Sequence, residues 1–198
     1  MNKRFIFFSK LSLILVLFVI LAGSLVRMTG SGMGCPDWPK CFGYLIPPTN
    51  LEQISWKSNK KYGKGVMILF NNKFYNSKDS FKSKKKFNIK NWILYTTHDY
   101  TKFSPMNTWF EFVNRLIGAI AGFSTLIMFI LSFYEFKKNK ITTLISGLVV
   151  LSMGFQAWLG KLVVDSNLSP YKISIHMLMA IFIVCLLIYI IKKTNVKS

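Results

Sequence analysis

The chain has 198 residues, of which 52% are hydrophobic and 16% aromatic, and it carries a formal net charge of +19. Water-soluble domains of this length rarely combine so much apolar sequence with so many charges, whereas membrane proteins with solvated basic segments do. Lysine accounts for most of the positive charge, because the arginines are Arg4, Arg27 and Arg115. The charge alone would suit a nucleic-acid-binding protein, but long apolar segments argue against that class.

Four apolar segments approach or exceed the roughly 20 residues that an α-helix needs to cross a bilayer. We predict an all-α integral membrane protein, a bundle of four transmembrane helices that forms one membrane domain over residues 1–198. A secretory signal peptide is the alternative for the first segment, but Lys10 interrupts it and three further segments follow. The helices are predicted at about residues 8–28, 109–134, 141–164 and 173–191, with a long loop at about 29–108.

Charged residues that flank the helices predict the orientation of the chain in the membrane. Lysine and arginine concentrate in the short connecting segments that stay in the cytoplasm. The short flanks here are basic, so both termini are predicted inside (N-in, C-in) and the long loop outside. Loops beyond about 60 residues escape this rule, so the lysines within the loop do not contradict it. The basic flanks comprise Lys3, Arg4 and Lys10, then Lys137, Lys138 and Lys140, and finally Lys192, Lys193 and Lys197.

The long loop carries two lysine-rich stretches, "KSNKKYGKG" and "KSKKKFNIK". Two interpretations of them stay open: a solvated surface, or a contact with anionic lipid headgroups or an acidic partner. The loop also contains "GVMILF" and "NWILYT", which have the apolar composition of short strands. We therefore predict that part of the loop forms a small folded cap.

Ionisable and polar side chains gather in the outer halves of the predicted helices. An ionisable group costs on the order of 3 kcal/mol at the centre of a bilayer and normally faces the bundle interior. Glu111 and Arg115 are four residues apart, so an interfacial ion pair is one interpretation of them. His176 is either a hydrogen-bonded packing residue or an axial ligand of heme iron, and arginines suit heme propionates. The outer halves hold Arg27, Glu111, Asn114, Arg115, Gln156, Lys161 and His176.

The segment "GCPDWPKC" holds Cys35 and Cys41 with five residues between them. A disulfide requires Cα atoms about 4.4–6.8 Å apart, so the chain must reverse, and Pro-Asp is a good opening for such a turn. Disulfides persist outside the cytoplasm, where the predicted orientation places this loop. A structural disulfide and a redox-active disulfide both remain open. The spacing and the lack of a second pair argue against a zinc site.

Four motifs together resemble the heme A synthase family over nearly the whole chain. They are "RMTGSGMGCPDWPKC" after the first helix, "WFEFVNRLIG" opening the second, "GFQAWLGKLVV" in the third and "IHMLMA" in the fourth. The resemblance implies an oxidoreductase of the bacterial inner membrane that converts heme O to heme A for cytochrome oxidases. A ring methyl becomes a formyl group with water as the oxygen source, and heme b is the prosthetic group.

The resemblance also implies roles for individual positions within these motifs. Glu111 matches the essential carboxylate of the second helix, which takes protons or stabilises positive charge at the methyl carbon. His176 matches the histidine that helps to hold heme in the N-terminal half of the family. Arg27 and Arg115 stand where rim arginines are expected. The outer-loop cysteine pair is matched by Cys35 and Cys41, as an electron relay or as a staple of a lid.

Two departures from the family pattern affect these roles. The second-helix motif is commonly Glu-x-x-His-Arg, but Asn114 stands at the histidine position, and asparagine is a poor iron ligand. We expect either an open iron position beside Asn114 or a replacement ligand, for which His98 is the other histidine in the chain. Relatives commonly have eight helices, with the prosthetic heme in the second half. Because this chain resembles the first half, activity is expected to need a homodimer, a separate second half or another electron route, unless the chain is a truncated copy.

Two other functions remain open at this point. A non-catalytic heme-binding or oxidase-assembly subunit would keep the heme ligand without needing Glu111. A quinone-linked thiol oxidase is also a four-helix protein with outward cysteines, but it needs a C-x-x-C pair and a second cysteine-bearing loop, and "DSNLSPYK" has no cysteine. The family role implies heme O synthase, oxidase subunits and membrane lipid as partners, and no nucleic acid.

Overall fold

The computed structural model describes residues 3–96, 103–136 and 139–195. The chain divides into two compact units, each described here by itself. The helix unit comprises residues 1–27 and 113–198, and the loop unit comprises residues 28–112. The long helices are α1 (Lys3–Met28), α3 (Pro105–Ser132), α4 (Lys140–Asp165) and α5 (Pro170–Asn195), and the short helix α2 (Leu51–Ile54) lies in the loop unit.

The four long helices are each long and apolar enough to cross a membrane, which confirms the predicted four-helix, multi-pass membrane fold. Three of them, α1, α3 and α5, begin several residues earlier than predicted. Pro105 and Pro170 occupy the first helical positions of α3 and α5, where the missing proline N–H costs no intrahelical hydrogen bond. The N-in, C-in orientation and the outer location of the loop stay predictions.

The helix unit packs around a core to which all four long helices contribute. Hydroxyl groups add links between helices: Ser12 Oγ and Ser124 Oγ are 2.8 Å apart across α1 and α3. Thr143 Oγ1 of α4 donates to the carbonyl of Ser132 in α3 at 2.9 Å. Such bonds satisfy polar groups that have no water partner in lipid. The buried core comprises Phe5, Val16, Ala121, Met128, Val149, Ile183, Leu187 and Ile190.

The loop unit contains two small antiparallel sheets. One has the strand order β2-β3-β5, from β2 (Met67–Phe70), β3 (Lys73–Ser77) and β5 (Trp92–Leu94). The other pairs β1 (Lys61–Tyr62) with β4 (Phe81–Lys82). The two segments predicted as strands contain β2 and β5. The strands are confined to the loop unit among the residues that the structure describes.

Both faces of the three-stranded sheet are covered by apolar side chains. Neighbouring residues in a strand point to opposite faces, so each of β2 and β3 contributes to two clusters. Met67 and Phe74 pack with Cys35, Cys41 and Phe42 in one apolar cluster. This contact anchors the cysteine segment to the sheet. The opposite face belongs to a second cluster of Tyr62, Ile68, Tyr75 and Trp92, with Trp56 and Phe87 packed against it.

Candidate functional site

The cysteine loop, residues 34–44, is closed by a disulfide between Cys35 and Cys41, whose Cα atoms are 4.8 Å apart. This confirms the predicted pairing. The Asp37 carboxylate accepts hydrogen bonds from the backbone N–H groups of Phe42 and Gly43, at 2.5 and 2.7 Å. An ionised acceptor strengthens such bonds. Asp37 therefore holds the chain reversal that the disulfide closes, which sequence analysis anticipated only as a turn opener.

Glu111 is the buried carboxylate of the loop unit, with 4% of its surface exposed. Its Oε2 accepts a hydrogen bond from the backbone N–H of Cys35 at 2.8 Å. One turn earlier in α3, Thr108 Oγ1 donates to the carbonyl of Gly34 at 2.9 Å. Two residues near the start of α3, Thr108 and Glu111, are thus bonded to two successive residues of the cysteine loop, Gly34 and Cys35. The structure brings together Glu111 and the disulfide, and it adds Thr108, which sequence analysis did not single out.

Gly34 is where the cysteine loop comes closest to α3. A Cβ at this position would collide with the backbone carbonyl of Asn107. We expect Gly34→Ala to lower the free energy of unfolding by about 1–3 kcal/mol, the usual cost of overpacking. Thermal unfolding of the detergent-solubilised protein measures the change. Gly63→Ala in the same unit is the matched control, because the nearest neighbour of its Cβ would be Val66 Cγ2 at 3.8 Å. Equal unfolding midpoints for the two variants would contradict the close approach at Gly34.

His176 lies half-buried in α5, facing α4. The Gln156 amide nitrogen, Nε2, donates to the backbone carbonyl of His176 at 3.0 Å and lies 3.5 Å from Nε2 of the imidazole. Gly160, one turn further along α4, lies next to the ring, because a Cβ there would be in van der Waals contact with His176 Cε1 at 3.5 Å. Because an amide N–H faces Nε2, the arrangement favours the tautomer with the lone pair on Nε2 and the proton on Nδ1. Gln156 therefore orients the histidine, a role that its position alone did not predict.

The remaining predicted residues of the helix unit lie on α1 and α3. Arg27 is exposed, and its guanidinium donates to Sδ of Met177, the residue that follows His176 in α5. Asn114 lies near α1, where a Cβ on Gly23 would be 3.8 Å from Asn114 Oδ1. Arg115 is half-buried in α3, next to Asn114 in sequence. Arg27 is thus adjacent to the histidine segment, and its role as a rim arginine stays a prediction.

Five buried polar atoms of the helix unit have no hydrogen-bond partner among the described residues: Asn114 Oδ1, Asn139 Nδ2, Thr142 Oγ1, Gln156 Oε1 and His176 Nδ1. Buried polar atoms are normally satisfied, so the neighbouring pair Gln156 and His176 identifies a place where a polar or metal-containing ligand would gain interactions. Among these residues the imidazole of His176 is the group that suits heme iron, because an amide oxygen is a poor ligand for it. His98, the predicted replacement ligand, lies outside the described residues.

A metal site built from protein ligands alone does not fit this part of the chain. No group of three or more histidine, cysteine or carboxylate side chains converges on a point within residues 3–96, 103–136 and 139–195. In heme, the porphyrin supplies four nitrogen ligands to the iron, and the protein supplies one or two more. The described residues fit a heme held through His176.

Comparison with known proteins identifies relatives of one kind. Residues 7–197 match the COX15-CtaA family model, described as cytochrome oxidase assembly protein. The chain is 25% identical over 186 residues to a heme A synthase of Shewanella oneidensis, covering 94% of this chain and 44% of that protein. A heme A synthase of Flavobacterium psychrophilum is 30% identical over 189 residues, covering 90% and 48%. One of Pelagibacter ubique is 26% identical over 202 residues, covering 96% and 52%.

The chain spans about half the length of these curated relatives. No solved structure matches it.

Proposed function

Since the chain belongs to the COX15-CtaA family of cytochrome oxidase assembly proteins, we propose that it acts in heme A biosynthesis as a membrane oxidoreductase. Its substrate is heme O, and the reaction oxidises a ring methyl to a formyl group with oxygen from water. The observation that carries the proposal is the buried carboxylate of Glu111, held by the Cys35 N–H beside the disulfide.

Glu111 is the residue to which we assign the proton chemistry. Oxidation of a methyl group releases protons, and a carboxylate close to the reacting carbon can accept them or stabilise positive charge there. The hydrogen bond from Cys35 N–H fixes the orientation of the carboxylate. This gives the disulfide a structural role: it holds the backbone donor that positions Glu111.

His176 is assigned to the iron of the substrate heme as a ligand. Gln156 would help to hold this residue in place through its hydrogen bond to the backbone carbonyl of His176, and outer partners commonly tune the affinity of a metal ligand. Arg27 and Arg115 are assigned to the heme propionates, for which the planar guanidinium is suited. Asn114 then lies beside an iron position that it does not ligate.

Heme b, which would supply one-electron redox chemistry, is assigned to a second four-helix half or to a second copy of the chain. The described residues offer one histidine, and the substrate uses it. We place the protein in a bacterial inner membrane with both termini inside and the cysteine loop outside, where disulfides persist. Heme O synthase and oxidase subunits are the expected neighbours in such a pathway.

The test is heme A formation in a bacterial host that makes heme O and lacks its own heme A synthase. The chain is expressed together with any second half that its own genome encodes, and hemes are extracted from the membranes. We expect heme A to appear in the mass spectrum when the chain is present. Heme O alone, with the chain folded in the membrane, would contradict the proposed oxidation.

A further inference from the structure

We propose that the lysine-rich face of the loop unit is a docking surface for anionic phospholipid headgroups. Residues 57–90 contain eleven lysines and one aspartate, and the structure describes this whole segment. Within it, the one ion pair is between Lys64 Nζ and the Asp79 carboxylate, 3.9 Å apart and exposed. The surface is therefore strongly positive and suited to a partner that brings negative charge. This inference does not depend on the chemistry proposed for Glu111 and His176.

Two pairs of lysines are held close together although like charges repel. Lys61 and Lys82 are direct partners in the β1–β4 sheet, an arrangement that destabilises a strand pair. The pKa of Lys60 is lowered from its ordinary value, first by partial burial and second by the charge of Lys57. A surface that carries many phosphate groups would relieve both repulsions, because it offers a counter-charge to each lysine.

A cleft in this face gathers the charge around aromatic side chains. Lys82, Lys84 and Lys86 line it together with Trp56 and Trp92. The ammonium group of lysine binds phosphate as a compact point charge. Trp92 is buried in the aromatic cluster of the unit, so the lysines are the residues of this cleft that can contact a headgroup.

An exposed aliphatic side chain beside the lysines favours a lipid surface over an acidic protein. Ile89 is 63% exposed, and Lys90 follows it in sequence. Aliphatic side chains enter the boundary between headgroups and acyl chains while adjacent lysines contact the headgroups. The chain continues from this unit into α1 at one end and α3 at the other, and both helices are long enough to span a membrane. The unit is therefore tethered to a bilayer at both ends.

The test compares the full chain in phosphatidylcholine nanodiscs with the full chain in nanodiscs that also contain phosphatidylglycerol. We expect amides of residues 84–91 to exchange about fivefold more slowly in the second kind, the effect of ~1 kcal/mol per lysine at an anionic surface. High salt should remove the difference. Lys84→Glu with Lys86→Glu should abolish it. Lys10→Glu with Lys192→Glu, which changes the charge equally at exposed positions outside the loop unit, should keep it.

Unchanged exchange in the β2–β3 hairpin shows that each variant is still folded. Equal exchange of the wild-type chain in the two kinds of nanodisc would overturn the proposal whatever the variants do. The proposal would also be wrong if inorganic phosphate gave the same protection in phosphatidylcholine nanodiscs, since the ligand would then be a soluble anion. The same protection by polyglutamate would indicate an acidic protein instead.

Discussion

Replacing Glu111 with glutamine is expected to lower heme A formation by about 100-fold, within the usual range for losing a general acid–base group. Glutamine has nearly the same shape and can still accept the hydrogen bond from Cys35 N–H at its amide oxygen. It cannot take a proton, and it carries no charge to stabilise a positive methyl carbon. Heme O binding should therefore be retained. Extraction of membrane hemes followed by mass spectrometry measures both quantities.

Glu52→Gln is the matched control for this substitution. Glu52 is exposed in the short helix α2 of the same unit and takes no part in the proposed site. We expect its heme A level to equal that of the wild type. A Glu111→Gln variant that forms heme A at the wild-type rate would remove Glu111 from the mechanism and leave its hydrogen bond as a purely structural contact.

Replacing His176 with alanine is expected to weaken heme binding by about 100-fold or more. Loss of a residue that only hydrogen-bonds to a metal ligand already costs about 10–100-fold in affinity, and loss of the ligand itself should cost at least as much. Gln156 would lose the imidazole beside its amide but keep the carbonyl of residue 176. The α4–α5 contact should therefore persist. Optical titration of the purified chain with heme O measures the affinity and the spectral signature of a histidine ligand.

His98→Ala separates the two histidines of the chain. If His176 is the ligand, the His98 variant keeps both the affinity and the spectrum. Loss of heme from the His98 variant, with the His176 variant unaffected, would transfer the ligand role to His98. Because this titration does not involve heme O oxidation, it reports on the ligand independently of catalysis.

The helices could be predicted from sequence because each one satisfies a local rule. A run of about 20 apolar residues has no other stable arrangement in lipid than a helix. The strands β2 and β5 could also be predicted from sequence, since "GVMILF" and "NWILYT" are apolar. The strand β3, "KFYNS", was not, because it is short and half polar, and it becomes a strand by pairing with β2 and β5 on either side.

Contacts at the candidate site could be anticipated only in part. The disulfide joins residues six apart, so turn chemistry predicts it. The bond between Glu111 and Cys35 joins residues 76 apart, and no local pattern specifies which backbone donor a buried carboxylate meets. Gln156 reaches His176 across two helices, which depends on how α4 and α5 are rotated about their axes. Residue types indicated the chemistry, and tertiary packing decided the partners.

Heme A formation itself tests most directly whether the chain is catalytic. The measurement is the ratio of heme A to heme O in membranes of a heme O-producing host, for the wild-type chain, Glu111→Gln and an empty vector. With any second half supplied, we expect heme A from the wild type, about 100-fold less from Glu111→Gln, and none from the empty vector. Equal ratios in all three, with heme O bound through His176, would contradict catalysis and indicate a heme-binding assembly subunit.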